Sequence, residues 1–134
     1  MNAQLKWMRI ALVLAAAYHV GWGLYIIRCP LQTMHVAGAE LAHALPLWQG
    51  FGMMMAIFGV GYAIAARDPI KHWLLIFVSL LGKVLGPVGF LLGVLKGQLA
   101  WAAGRTFLTD DVMWWVPFAW MLYHAYQANQ ERRS

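Results

Sequence analysis

A few polar side chains interrupt segments that are otherwise almost purely apolar, and these residues could do chemistry. Lys83 is the strongest signal, because it lies near the middle of a long apolar segment. A lysine at the centre of a bilayer costs about 2.5–3.5 kcal/mol on insertion scales, so it normally faces the protein interior and has a partner. Asp110 and Asp111, just before the next apolar segment, are the candidate partners. Both a structural ion pair and a functional cation fit this pattern.

Two further polar residues lie in the other apolar segments. His19 lies in the first of them and Gln49 lies near the start of the second. A lone histidine in such a segment is more often a hydrogen-bonded packing residue than a ligand. Because His19, Gln49, Lys83 and Asp111 belong to four different segments, they could point into one cavity in the outer half of a bundle.

Tryptophans near the segment ends could wall such a cavity. Indole rings prefer the interface between bilayer and water, which explains most of the eight tryptophans without any ligand. A pocket with apolar walls and a few converging polar groups is nevertheless the default binding site of a protein. The sequence predicts a ligand-binding site formed by seven residues: His19, Trp22, Trp48, Gln49, Lys83, Asp111 and Trp115.

Motifs for hydrolysis or thiol chemistry are not found in this sequence. It has no HExxH helix, no phosphate-binding loop and no serine nucleophile motif. Cys29 is the only cysteine, which excludes a two-cysteine redox cycle within one chain. A binding or accessory role is therefore favoured over an enzyme, and the ligand would be a small apolar or amphipathic molecule or a partner subunit.

Histidine pairs leave a redox role open as an alternative. Haem with two histidine ligands needs both at matched depth on facing helices, and only His72 and His124 match. A membrane subunit that binds haem or quinone is therefore the second hypothesis. His35 and His43, with Glu40 between them, are too widely spaced for one metal ion, so we predict no metal site.

Transport is the third hypothesis, because ionisable residues inside a membrane often mark ion paths. Lys83 and Asp111 would then form a proton path. Four short spans would have to oligomerise to make a pore, so this hypothesis predicts at least a dimer.

The composition places these residues in a membrane protein. Of 134 residues, 62% are hydrophobic and only 11% are charged, whereas soluble domains carry about 25% charged residues. A spanning helix needs about 20 mostly apolar residues. The sequence thus predicts one all-α domain, residues 1–134, that forms a four-helix transmembrane bundle. The predicted spans are about 7–27, 47–66, 72–95 and 112–128.

Charged residues at the segment ends predict the topology. With four spans, both termini and the second loop share one side of the membrane. That side carries Lys6, Arg9, Arg67, Lys71, Arg132 and Arg133, against Arg28, Lys96 and Arg105 on the other. Positive residues concentrate on the cytoplasmic side, so both termini are expected there. The net charge of +5 is thereby explained without nucleic acid. The first apolar segment is too long for a cleaved signal peptide.

Small residues and prolines indicate how the segments pack. Glycines or alanines four apart occur in the first three segments, including Gly52 with Ala56 and Gly82 with Gly86. Such pairs let helices approach closely in lipid, either inside one bundle or across a homodimer. Pro87 and Pro117 lie inside segments, and Pro87 should free a backbone carbonyl near Lys83. A neighbouring group must satisfy that carbonyl within the membrane. In the first loop, residues 37–45 could form a short surface helix.

Four stretches resemble a group of small bacterial membrane proteins that are loosely DoxX-like and sometimes labelled alkyl hydroperoxide reductases. They are GYAIAARDP at 61–69, KHW at 71–73, LGKVLGPVGF at 81–90 and TDDVMWWVPF at 109–118. The resemblance extends from Leu47 to Met121 and implies a four-span protein of the bacterial inner membrane, but little mechanism. Asparagine is usual in this group at the position of Asp110, so the resemblance does not identify the partner of Lys83. Peroxide reduction would need a low-pKa thiolate with a resolving thiol, and Cys29 is alone.

Overall fold

The computed structural model describes residues 3–37 and 44–134, and all their regular structure is helical. A 3₁₀ turn, Trp101–Gly104, and a π turn, Leu108–Val112, lie before the last helix. This confirms the all-α prediction, whereas most of the surface helix predicted over 37–45 lies outside the described residues. The helices are α1 (Ala3–Arg28), α2 (Pro30–Ala37), α3 (Leu45–Ala65), α4 (Trp73–Leu95) and α5 (Met113–Glu131).

Three of these helices can cross a membrane. Among the described residues, α1, α3 and α4 are each long and apolar enough to span a bilayer. The 19-residue helix α5 falls outside this group, because its last two turns carry polar side chains such as Gln127, Asn129 and Gln130. The chain is therefore a helical protein with three membrane-spanning candidates.

Prolines and one glycine set several helix boundaries. Pro30 begins α2 and Pro46 lies in the first turn of α3, where the missing N–H of proline costs no hydrogen bond. Gly97 follows the end of α4 with a φ of +71°, a left-handed conformation that glycine adopts without strain. The chain turns back at Gly97 toward the 3₁₀ turn.

Helices α1 and α3 pack backbone against backbone through three glycines. A Cβ atom on Gly23 would lie 2.5 Å from the Gly52 carbonyl oxygen, and one on Gly59 would lie 2.8 Å from the Val20 nitrogen. Gly52 and Gly59 of the second segment therefore pack inside the bundle, which is one of the two arrangements that the sequence leaves open. In the first segment the contact is made by Gly23, whereas a Cβ on Gly21 would meet no atom within 4 Å.

Helix α4 stands apart from α3 over much of its length. The two helices meet near the connecting turn, where a Cβ on Gly61 would lie 3.3 Å from the Leu75 side chain. Further along α4, a Cβ on Gly82 or Gly89 would meet no atom within 4 Å. The glycines of the third segment thus do not bring two helices together here, and a cavity lies between α3 and α4. The buried core is formed around Leu12, Tyr62 and Phe118, and Tyr62 also lines the cavity.

Candidate functional site

The Lys83 ammonium lies buried at the centre of a polar cluster, with the residue only 7% exposed. Its Nζ donates to the Asp110 carbonyl oxygen at 2.5 Å and lies 2.8 Å from His19 Nε2. It lies 3.6 Å from Asp111 Oδ1, which is an ion pair but beyond the usual length of a hydrogen bond. The π turn brings Asp110 and Asp111 inward to Lys83. Of the two candidate partners, Asp111 forms the ion pair and Asp110 contributes its backbone carbonyl.

The hydrogen bonds of His19 define its proton positions. His19 Nδ1 lies 2.7 Å from the Ala15 carbonyl oxygen, and a carbonyl can only accept, so Nδ1 carries a hydrogen. In the neutral ring Nε2 is then an acceptor, and Lys83 donates to it. His19 lies 2% exposed among the rings of Tyr18, Tyr62 and Trp114. It therefore holds one N–H of the lysine in a fixed direction.

The two aspartates differ in what their side chains contact. The Asp110 carboxylate, 4% exposed, accepts a short hydrogen bond from the Tyr18 hydroxyl. The Asp111 carboxylate is 18% exposed and faces Lys83. Burial raises the pKa of both carboxyl groups above the ordinary aspartate range, to about 6 for Asp111, although Lys83 acts in the opposite direction. Both carboxyl groups belong to residues of the π turn, which lies beside Lys83.

The backbone of Lys83 is fixed by a contact that compensates for Pro87. Because proline has no N–H, the carbonyl four residues earlier, on Lys83, loses its helical partner. The indole Nε1 of Trp115 donates to this oxygen at 3.0 Å. The freed carbonyl predicted from the sequence is thus satisfied by a neighbouring helix, and Trp115 ties α5 to α4 at the level of the lysine.

Replacing Trp115 with phenylalanine should lower the free energy of unfolding by about 1–3 kcal/mol, the cost of leaving a buried acceptor unsatisfied. Thermal unfolding in lipid nanodiscs would measure it. The matched test is the same change in a Pro87→Ala protein, where the restored alanine N–H can bond the Lys83 carbonyl. The effect should then largely disappear, and an equal loss in both backgrounds would contradict this role of Trp115.

A cavity of about 430 Å³ lies beside the polar cluster, between α3, α4 and the segment that leads into α5. One wall is a face of α3 that carries Phe51, Met54, Met55 and Phe58, and Phe107 closes the opposite side. Lys83 and Asp111 lie at its polar end with His19. This volume lies within the range of about 300–1,000 Å³ that is typical of small-molecule sites. The remaining lining residues are Trp48, Tyr62, Ser79, Gly82, Gly86, Ala103, Thr106 and Asp110.

The polar end of the cavity has hydrogen-bonding capacity to spare. Ser79 lies one turn before Lys83 on α4 and is 2% exposed. Its hydroxyl is near that of Tyr62 but completes no hydrogen bond of ordinary geometry among the described residues. Buried polar groups are nearly always satisfied, so an open hydroxyl in a cavity wall indicates a missing partner.

Four of the seven residues predicted from the sequence line this cavity, namely His19, Trp48, Lys83 and Asp111. The other three lie outside it. Gln49 Nε2 donates to the Ile27 carbonyl at 3.0 Å, one of the last carbonyls of α1, which have no helical partner. Trp22 packs against Tyr25 away from the cavity. Trp115 acts on the Lys83 backbone, as described above.

Several lining residues were not singled out from the sequence. Phe51, Met55, Phe58 and Tyr62 are spaced at helical intervals along α3, so their common face could have been read as a wall. Ser79 was recognisable as the nearest hydroxyl to Lys83 on its own helix. Phe107 and Thr106 lie in a loop, and nothing in the local sequence places them next to α3.

The other histidines that the structure describes each have surroundings of their own. His72 Nδ1 contacts the Asp68 carbonyl oxygen in the turn before α4. His124 lines a separate cavity of about 210 Å³ with Gln4 and Glu131. The described residues contain no group of three His, Cys, Asp or Glu side chains able to hold a metal ion. Glu40 and His43, which with His35 are the candidate metal ligands of the first loop, lie outside the described residues.

The chain matches no protein-family model, and it shows no significant similarity to a curated protein or to a solved structure. The DoxX-like resemblance therefore remains an expectation from the sequence motifs.

Proposed function

We propose that this chain is a small integral membrane protein of the bacterial inner membrane, DoxX-like in organisation, that binds a small amphipathic ligand. The ligand occupies the cavity between α3 and α4, with its polar group toward Lys83 and its apolar body against the α3 wall. The role is binding or accessory. The cavity recognises either a free ligand or a partner subunit that presents such a polar group.

The observation that carries this proposal is the combination of an apolar cavity with a polar end that is only partly satisfied. Lys83 lies at that end beside Asp111 and the open Ser79 hydroxyl. An intramembrane lysine that served only as half of an ion pair would need neither the cavity nor the open hydroxyl. Apolar walls with a few convergent polar groups are the usual features of a small-molecule site.

In this proposal α5 is the fourth span and both termini are cytoplasmic. The polar side chains in the last two turns of α5 then emerge from the bilayer, and its buried residues Phe118 and Met121 face α1 and α3 in the core. The cytoplasmic assignment is supported by the excess of Lys and Arg on the side that carries the two termini.

Native mass spectrometry of the gently extracted protein, compared with two glycine variants, tests this function. Gly82→Leu places a side chain into the cavity, because Gly82 lines it and a Cβ there meets no atom within 4 Å. Gly89→Leu is the matched control, since Gly89 is equally open on the same helix but outside the cavity. We expect a single bound mass on wild type and Gly89→Leu that is absent from Gly82→Leu.

The same experiment separates the proposal from its alternatives. A bound mass of haem or quinone would support a redox subunit in place of a binding protein. A bare dimer would support an oligomeric transporter with a proton path through Lys83. Bound masses that are equally abundant on Gly82→Leu and wild type would overturn the cavity as the binding site.

A further inference from the structure

We propose that the ligand of this cavity is uncharged, with a hydroxyl-type head that both donates and accepts hydrogen bonds and an aromatic apolar body, as in an aromatic alcohol or phenol. This inference rests on the proposed function and names the chemical class that the same cavity takes. It follows from the hydrogen-bond geometry, the charges and the walls of the cavity.

The hydrogen bonds of Lys83 leave one donor for a ligand. An ammonium group has three N–H donors. One is directed at His19 Nε2, at 2.8 Å, and a second at the Asp110 carbonyl oxygen, at 2.5 Å. The third has only Asp111 Oδ1, at 3.6 Å, which is too long for a normal hydrogen bond. A ligand oxygen can therefore accept from Lys83, and Ser79 adds a second open donor.

The same place offers an acceptor beside these donors. Asp111 lines the cavity, and its second carboxylate oxygen lies near Gly86, where the absence of a side chain leaves room. No hydrogen bond to the Asp111 carboxylate occurs among the described residues apart from its long contact with Lys83. A head group that accepts from Lys83 and donates to Asp111 would satisfy both, and a hydroxyl group does this with a single oxygen.

The charges at this end disfavour ions of either sign. The titratable groups around Lys83 are the carboxyls of Asp110 and Asp111, the neutral ring of His19, and the hydroxyls of Tyr18 and Tyr62. The one ammonium already faces the Asp111 carboxylate, with the Asp110 carboxyl nearby, so an anionic head finds no surplus positive charge. A cationic head beside Asp111 would lie next to the Lys83 ammonium. Burying an unpaired charge is costly, and a neutral head avoids that cost.

The walls indicate an aromatic body. Phe51, Phe58 and Phe107 line the cavity together with the two adjacent methionines Met54 and Met55. Aromatic rings favour edge-to-face and offset contacts with other rings, and methionine sulfur packs favourably against rings. A ring attached to a short alkyl chain would contact all of these side chains while its hydroxyl reached Lys83.

Three probes of matched size and different charge test the inference, with the full chain in lipid nanodiscs at neutral pH. They are para-butylbenzyl alcohol, para-butylbenzoate and para-butylbenzylammonium, titrated with tryptophan fluorescence as the readout. Gly82→Leu serves as the blank that subtracts partition into the bilayer. We expect the alcohol to bind at least about tenfold more tightly than either ion, a difference of about 1.4 kcal/mol.

A charge substitution provides the second measurement. In Asp111→Asn the carboxylate that faces Lys83 is gone, so para-butylbenzoate can supply the missing charge. We expect benzoate to bind this variant at least about tenfold more tightly than it binds wild type, and to raise its unfolding temperature. The alcohol should bind the variant more weakly than wild type, because the charged carboxylate acceptor is replaced by the weaker, neutral amide oxygen of asparagine.

The outcomes separate the two proposals. If benzoate or benzylammonium binds wild type as tightly as the alcohol, the cavity binds ligands but the inference of an uncharged head is overturned. If none of the three probes binds above the Gly82→Leu blank, the inference of an aromatic hydroxyl ligand is overturned. The proposed function fails with it only if native mass spectrometry also finds no bound mass that Gly82→Leu excludes. If Asp111→Asn does not fold, the order of the three probes on wild type still decides the inference.

Discussion

Asp111→Asn is expected to lower the free energy of unfolding by about 1–2 kcal/mol, because the usual cost of about 3–5 kcal/mol for breaking a buried ion pair is partly offset by the loss of a carboxylate charge that burial disfavours. The reason is the position of Lys83, which is 7% exposed and has Asp111 as the carboxylate in direct contact. Without it, the ammonium keeps only the neutral acceptors His19 and the Asp110 carbonyl. Unfolding of the variant in nanodiscs, monitored by circular dichroism, measures the loss.

The double variant Asp111→Asn/Lys83→Met provides the sharper comparison. It has neither charge, so it should be more stable than Asp111→Asn alone. In a double-mutant cycle with the two single variants, the coupling energy between Lys83 and Asp111 should be at least about 2 kcal/mol. Lys96→Met is the matched control, because Lys96 is exposed at the end of the same helix, and its effect should stay within about 0.5 kcal/mol. Equal losses for Asp111→Asn with and without Lys83 would contradict the ion pair.

Lys83→Met alone should show a pH dependence of defined sign. Burial already raises the pKa of Asp111 to about 6, and removal of the ammonium raises it further. The folded protein then holds a proton that the unfolded chain, with an aspartate pKa of about 3.9, releases. Stability therefore falls as pH rises through this interval, so the variant should be less stable at about pH 8 than at about pH 5. If Lys83→Met is stable at both pH values and also binds ligand normally, Lys83 has neither a structural nor a ligand-binding role.

Gly23→Ala is the second substitution with a large expected effect, about 3 kcal/mol of lost stability, at the upper end of the usual range for overpacking. An added Cβ would lie 2.5 Å from the Gly52 carbonyl oxygen and 2.7 Å from the Ala56 nitrogen. Both are backbone atoms of α3, so relief requires the two helices to separate, which is more costly than turning a flexible side chain.

Gly21→Ala is the matched control, two residues away on the same helix. A Cβ on Gly21 would meet no atom within 4 Å, so this change should be neutral or slightly stabilising because alanine favours helix. Thermal unfolding of both variants in nanodiscs checks the pair. Similar losses at both positions would show that the close contact between α1 and α3 does not depend on Gly23.

The sequence predicted the helices well because a bilayer imposes a simple rule on any segment able to cross it. Apolar segments of about 20 residues bounded by proline or charge must be helical. The predicted first, second and third spans correspond to α1, α3 and α4, with differences of a few residues at their ends. The count of four spans was not settled by the same rule, because α5 mixes core residues such as Phe118 with polar residues near its end.

The candidate site could be predicted only in part. Lys83, His19 and Asp111 stand out because each is polar within or beside an apolar segment, and such residues must find partners. The cavity wall was not predictable, since Phe51 and Phe107 look like ordinary core or lipid-facing residues. Their roles depend on how far α4 lies from α3, and on a loop that returns to the bundle, and no local pattern specifies either.

Photolabelling tests the central claim of a ligand cavity most directly. Para-butylbenzyl alcohol carrying a diazirine would be irradiated with the protein in nanodiscs, and the labelled residues would be identified by mass spectrometry. We expect label on cavity residues such as Met54 and Phe58, and competition by the unmodified alcohol. Label spread over Leu85, Val88 and Leu92, which are exposed on α4 outside the cavity, without competition, would contradict the account.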